Sequence, residues 1–148
     1  KSSIAGPAMW GKRIYEYSND RIMPNGLDCS GFISWCLLNG GYDPGDIGAG
    51  PNYGYKDLTD LGKSQKINMN LLASGKIKAG DLIGYDGHIG IIIAVEDGYI
   101  TVTDTIFYER GVCATRYSYN SLIYNSGFTH IYDMDDYYKK DGNYSNIW

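Results

Sequence analysis

Asp28-Cys29-Ser30-Gly31-Phe32-Ile33-Ser34-Trp35-Cys36-Leu37-Leu38, closed by Asn39-Gly40-Gly41, is the stretch on which the fold turns. Asp28 is a residue type that caps a helix by accepting a bond from an orphan backbone N–H. The paired glycines are a good helix stop. Between them the segment is apolar nearly all round, which predicts a buried central helix rather than a surface helix with one wet face. After Ala79-Gly80 the character changes. Asp81–Tyr85, His88–Val95 and Tyr99–Ile106 read as strands, and Val112–Tyr117 and Thr129–Met134 as two more. Glu96-Asp97-Gly98 is a hairpin signal. Helices first and consecutive strands later is the α+β pattern, here a central helix packed on an antiparallel sheet of about five strands.

Away from that stretch the signals are weaker. Ala8-Met9-Trp10 and Ile14-Tyr15 fall at helical spacing, then Asn19-Asp20 and Pro24-Asn25-Gly26 mark turns. Residues 1–26 therefore read as loosely helical and then irregular. Residues 42–66, rich in Gly, Asp, Asn and Tyr, read as a long loop with a short helix near Tyr55–Leu61; such loops are often functional. Residues 67–78 hold a short helix at most. The tail from Asp135 to Trp148 is polar and Tyr-rich and is expected to wrap the surface.

Composition narrows the function classes. A chain of 148 residues is the size of one compact domain. With 43% hydrophobic and 20% charged residues it builds a core and is not a disordered chain. The net charge of −4 argues against nucleic acid and against a membrane surface held by Lys and Arg. No apolar run approaches the roughly 18–20 residues that span a bilayer. The first residues have no signal-peptide core; because the chain begins abruptly, we expect a domain excised from a longer protein. We expect a monomer.

The cysteine count is odd, at 3, so at least one thiol is free unless it pairs between molecules. Cys29 and Cys36 lie about 10 Å apart along one helix, too far for a disulfide. No CxxC pair is present, and no metal or cofactor is expected. The run Asp133-Met134-Asp135-Asp136 lacks the central Gly and final Glu of a calcium loop and reads as a solvated acidic end.

Cys29 falls at or next to the first helical position, where unpaired N–H groups and the helix dipole favour a thiolate. Asp28 opposes a second negative charge beside it, so a cationic partner must do much of the activation. There are 2 histidines. His88 follows the turn Asp86-Gly87 and opens a strand; alternation places Gly90, Ile92 and Ala94 on its face, small enough at two positions to let a helix approach. His130 lies on the expected last strand and is read as structural. A free Cys on an apolar helix is usually inert core, and Cys36 is read so. Cys29 ahead of a strand-opening His is instead the order of a nucleophile and its base.

An imidazole base needs a partner that fixes its tautomer. Asp104 sits in a row with Ile100, Val102 and Ile106, where a carboxylate is out of place unless paired. A three-residue loop, Glu96–Gly98, would set Gly90 opposite Asp104 and His88 opposite Ile106, making Asp104 the diagonal neighbour of His88. A two-residue loop, Asp97-Gly98, would slip the register and put Thr103 and Thr105 on the His88 face. The apolar row favours Asp104.

These blocks carry a family resemblance. Asp28-Cys29-Ser30-Gly31-Phe32 resembles the DCSGF signature of the NlpC/P60 family of cell-wall cysteine peptidases. Ala79-Gly80-Asp81-Leu82-Ile83 resembles that family's GDL strand, and Gly87-His88-Ile89-Gly90-Ile91 its HVGIY strand. The resemblance runs from about Met9 to Tyr132. It implies a papain-like fold and a bacterial, extracellular enzyme of the cell wall. It implies cleavage of peptidoglycan stem peptides between γ-linked D-Glu and the third residue, diaminopimelate or Lys. By position, Cys29 is the nucleophile, His88 the base, and the third polar residue falls on the strand that holds Asp104. The family more often has His, Asn or Gln there. Tyr17 has the spacing of the family's Tyr before the Cys, though Glu16-Tyr17-Ser18-Asn19 lacks the WGG that follows it, and it is carried over as a substrate or oxyanion contact. Asp28 and Ser30 correspond to residues that bind the substrate's free amine. Two other readings stand beside this one: a non-catalytic wall-binding module, and a different acyl chemistry on the same scaffold, such as an amidase or acyltransferase.

Overall fold

The computed structural model describes residues 28–42, 44, 58–106 and 111–139, together with the backbone of two short strands near the N-terminus. These strands, β1 (Ile14–Glu16) and β2 (Arg21–Met23), pair antiparallel with Ile14 opposite Met23. The helical reading is corrected at Ile14-Tyr15: two short segments flanking the Asn19-Asp20 turn signal satisfy each other's backbone groups as a ladder. Ala8-Met9-Trp10 lies outside the described residues.

Helix α1 (Cys29–Asn39) forms where the sequence places it. The Asp28 side chain accepts from the Gly31 N–H at 2.7 Å, and Gly40 ends the helix by donating its N–H to the Cys36 carbonyl. Only Asn39 of the helix is exposed. A 3₁₀ turn follows at Leu58–Asp60, inside the stretch expected to hold a short helix. Then come β3 (Lys63–Lys66), α2 (Met69–Leu72), β4 (Leu82–Tyr85), β5 (His88–Glu96), β6 (Tyr99–Ile106), β7 (Gly111–Ser118), α3 (Tyr119–Tyr124), β8 (His130–Asp133) and α4 (Asp135–Tyr138). No helix among the described residues is long and apolar enough to cross a membrane.

Strands β3 to β8 make one open antiparallel sheet in the order β3-β8-β4-β5-β6-β7. That is α+β, with six strands rather than about five. The strand missed in the sequence is β3: Lys63-Ser64-Gln65-Lys66 has no apolar alternation because it is an edge, paired only with β8 and scarcely buried.

The sheet has a core on each face. On one side Phe32, Ile33 and Leu37 of α1 pack with Leu82, Ile89, Tyr132 and Met134. On the other, Ile83, Ile92, Ile100, Val102 and Ile131 pack with Leu72 of α2, Leu122 of α3 and Phe128. Neighbouring residues such as Leu82 and Ile83 go to opposite faces, so these strands read as continuous apolar runs.

The β5–β6 hairpin resolves the register question in an unexpected way. The turn is the two-residue one: Glu96 pairs with Tyr99 across Asp97-Gly98, and Gly98 takes the φ of +76° that such a turn requires. Taken alone, that turn would put Thr103 on the His88 face. A bulge at Ile93 cancels the slip: Ala94 pairs with Thr101, but Ile92 pairs with Val102 and Ile91 with Thr103. Beyond the bulge the pairing is the one a three-residue loop would have set. The expected alternation is corrected accordingly. Ile93 and Ala94 both turn from the inner face, Ile93 being 47% exposed, and Val95 packs inward opposite Ile100.

Candidate active site

Three elements meet at the end of the sheet where β5 begins. Cys29 is the first residue of α1, His88 the first of β5, and Asp104 lies near the end of β6. The bulge sets Asp104 on the His88 side. The space beside Gly90 is filled by Val102 Cγ1 and Asp104 Cβ, at 2.9 and 3.1 Å from where a Gly90 Cβ would stand. Gly90 thus makes room for side chains of β6, which corrects the expectation that it makes room for the helix. Any larger residue there would push Asp104 away.

His88 Nε2 lies 2.7 Å from Asp104 Oδ2, with side chains 18% and 7% exposed. Asp104 is the partner that its apolar row called for. Thr103, the alternative orienter, donates its hydroxyl to the Cys113 carbonyl at 2.9 Å instead. The Cys29 thiol forms the second side-chain hydrogen bond of the imidazole. With Nε2 on Asp104, Nδ1 is the nitrogen left to the thiol. The imidazole pKa is pushed up to about 9, most by the Asp104 hydrogen bond and next by that of Cys29, while burial of the cation works against both.

The other cysteines are different. Cys36 is half-buried against the α1 core, and burial pushes its thiol up to about 11, away from the thiolate form. Cys113 lies on β7 opposite Asp104. His130 on β8 accepts or donates a bond at Nδ1 to the Thr129 hydroxyl at 2.9 Å and stacks on Tyr132, two strands from β5. Asp135 and Asp136 pair with Lys78 and Lys63, and among the described residues no cluster of three potential metal ligands exists.

Asp28 and Ser30 flank the thiol on the helix start. Ser30 Oγ donates to Asp28 Oδ1 at 3.2 Å, the same oxygen that caps Gly31. Asp28 is therefore an N-cap, whatever else it binds. Tyr17 lies outside the described residues.

Two features of the site carried no sequence argument. Tyr85 and Phe128 place their rings 5.3 and 6.0 Å from that of His88. Tyr85 was within reach, since the Asp86-Gly87 turn pairs it with His88; Phe128 arrives from beyond α3 with no local signal. The buried Asp81 is structural: it accepts from the N–H groups of Lys78 and Met134 at 2.9 and 3.1 Å, tying the start of β4 to the end of β8.

The arrangement can do nucleophilic chemistry: a helix-start thiol, a base within hydrogen-bond reach, and a buried carboxylate that orients the base. A scan against protein-family models and searches of curated proteins and of solved structures find no match to the chain.

Proposed function

We propose that the chain is a cysteine endopeptidase of the NlpC/P60 type, acting on peptidoglycan stem peptides at the bond between γ-linked D-Glu and the third residue. The observation that carries the reading is His88 held between the Asp104 carboxylate at 2.7 Å and the Cys29 thiol. The DCSGF-like sequence at the head of α1 and the α1-on-sheet packing support it.

In this mechanism the Cys29 thiolate, paired with the His88 imidazolium, attacks the scissile carbonyl carbon. A C–S bond forms and the carbonyl oxygen takes up the electron pair. The backbone N–H of Cys29 at the helix start, joined by the Tyr17 hydroxyl, holds that oxyanion. His88 Nδ1 gives its proton to the leaving amine as the C–N bond breaks. Water, deprotonated by His88, then releases the thioester. Asp104 keeps Nε2 protonated and the ring turned toward the thiol throughout. Asp28 and Ser30 meet the substrate's free amine. The setting is extracellular, at the bacterial wall.

The test is to incubate the protein and its Cys29→Ala variant with muropeptides of the Lys and diaminopimelate types and to identify the products by mass spectrometry. A fragment ending at D-Glu, absent with the variant, is the expected result, and the preferred muropeptide names the third residue. Cleavage that survives Cys29→Ala would end the proposal. No cleavage of either type, with Cys29 still alkylated quickly at neutral pH, would leave a reactive thiol serving another acyl substrate, such as an amide outside the wall.

A further inference from the structure

Two hydrogen bonds aim the nitrogens of His88 only while the plane of its ring holds still. The torsion that turns a histidine ring is broad and only two-fold, so bonding alone leaves the plane soft. What restrains it here is aromatic packing. Phe128 lies nearly parallel to the imidazole, with centroids 6.0 Å apart and planes 22° apart. Tyr85 approaches at 5.3 Å and 37°. Both separations lie within the range of productive ring pairs, roughly 4.5–7 Å.

The two rings differ in how firmly they are held. Tyr85 is 42% exposed, whereas Phe128 is 6% exposed. Tyr117 of β7 meets Phe128 edge-on at 6.2 Å and 88°. The Phe128 N–H donates to Ser126 Oγ at 3.1 Å, and that hydroxyl donates to the Leu122 carbonyl at 2.6 Å, which moors the residue to the end of α3. Phe128 is thus a fixed wall on one side of a ring whose two nitrogens must both stay aimed.

We propose that Phe128 is a positioning residue for His88: its buried ring sets the plane of the imidazole, so that Nε2 stays on Asp104 and Nδ1 stays on the Cys29 thiol. The inference rests on the Cys29–His88–Asp104 reading above and adds a member that touches no substrate. The titratable groups around the imidazole are Cys29 from α1, Asp104 from β6 and Tyr85 from β4, with Tyr117 of β7 near Asp104. Phe128 acts on all of them through geometry, since it carries no charge.

The experiment is the rate of Cys29 alkylation by iodoacetamide between pH 5 and 10, read on the Cys29 peptide by mass spectrometry, in the full chain. Phe128→Leu keeps an apolar side chain and removes the ring. Phe128→Tyr keeps the ring. Leu122→Val loosens the same core without touching His88. Phe128→Leu should slow alkylation at neutral pH by roughly 10- to 100-fold, the scale of a misaimed catalytic group, and move the rise of the profile toward higher pH, as a thiolate that loses its imidazolium partner must. Phe128→Tyr should restore the wild-type profile, and Leu122→Val should keep it. A wild-type profile in Phe128→Leu, or an equal loss in Leu122→Val, would overturn the positioning role while leaving the triad intact. If wild-type Cys29 reacts no faster at neutral pH than in His88→Ala, the triad itself fails and takes this inference with it.

Discussion

At the scale of single residues, Asp104 does the most with the least room. It lies among Ile100, Val102 and the β6–β7 ladder, 5% exposed, with its carboxylate on His88. Asp104→Asn keeps the shape and weakens the hydrogen bond to a carboxylate that contributes most to the raised imidazole pKa. The alkaline limb of turnover, which needs the imidazolium as proton donor, should then move from about 9 toward the ordinary histidine value of 6.5. Turnover should fall by roughly 100-fold or more, the usual worth of a correctly poised acid–base group. An Asp104→Asn protein with an unshifted limb would remove Asp104 from the mechanism. Asp104 was legible in the sequence because a lone carboxylate in an apolar row needs a partner, and Cys29 and His88 because they open their elements. Phe128 was not legible: its contact with His88 is made by tertiary packing, and an apolar residue before a strand looks like any core residue.

At the scale of elements, the bulge at Ile93 decides whether the site exists. The Asp97-Gly98 turn and the Asp104–His88 contact are incompatible in a regular ladder, and the extra residue reconciles them. Deleting Ile93 should leave Ile92 opposite Val102 and Ala94 opposite Thr101 in an unbroken strand. The deletion variant is therefore expected to fold and to keep a His88 that titrates near 9, measurable by the imidazole proton shifts in NMR. A His88 that titrates near 6.5 in this variant would mean that the local twist of the bulge, not its register, brings the pair together. Such a bulge was invisible beforehand, because Ile91-Ile92-Ile93-Ala94 offers an apolar side chain at every position. The strand β3 escaped notice for the opposite reason, having none. The central helix and the Asp86-Gly87 turn are legible because each carries its own local chemistry: a capping carboxylate, a glycine stop, a glycine with positive φ; at Glu96-Asp97-Gly98 the hairpin is legible but the favoured three-residue loop is not the one formed.

At the scale of the molecule, the raised imidazole ties folding to pH. A histidine whose folded pKa lies above its unfolded value stabilises the fold fully below the unfolded value and loses that contribution as pH rises through the folded one. For His88 the window runs from 6.5 to about 9. A shift of this size is worth on the order of 3 kcal/mol. Denaturant unfolding at pH 6 and pH 9.5 should show the wild type losing stability on that order, and Asp104→Asn losing far less; equal losses would assign the effect to other groups. The arrangement of layers was legible in outline, with one helix on an antiparallel sheet, while the second core under α2 and α3 was not, since continuous apolar strands do not say what covers each face. The outer strand has a consequence of its own. An incoming chain that tried to extend the sheet at Lys63–Lys66 would have to bury two ammonium groups, one of them already bound to Asp136 at 2.6 Å. That edge is guarded against fibril-like stacking, because its ammonium groups keep separate copies of the chain apart there by charge.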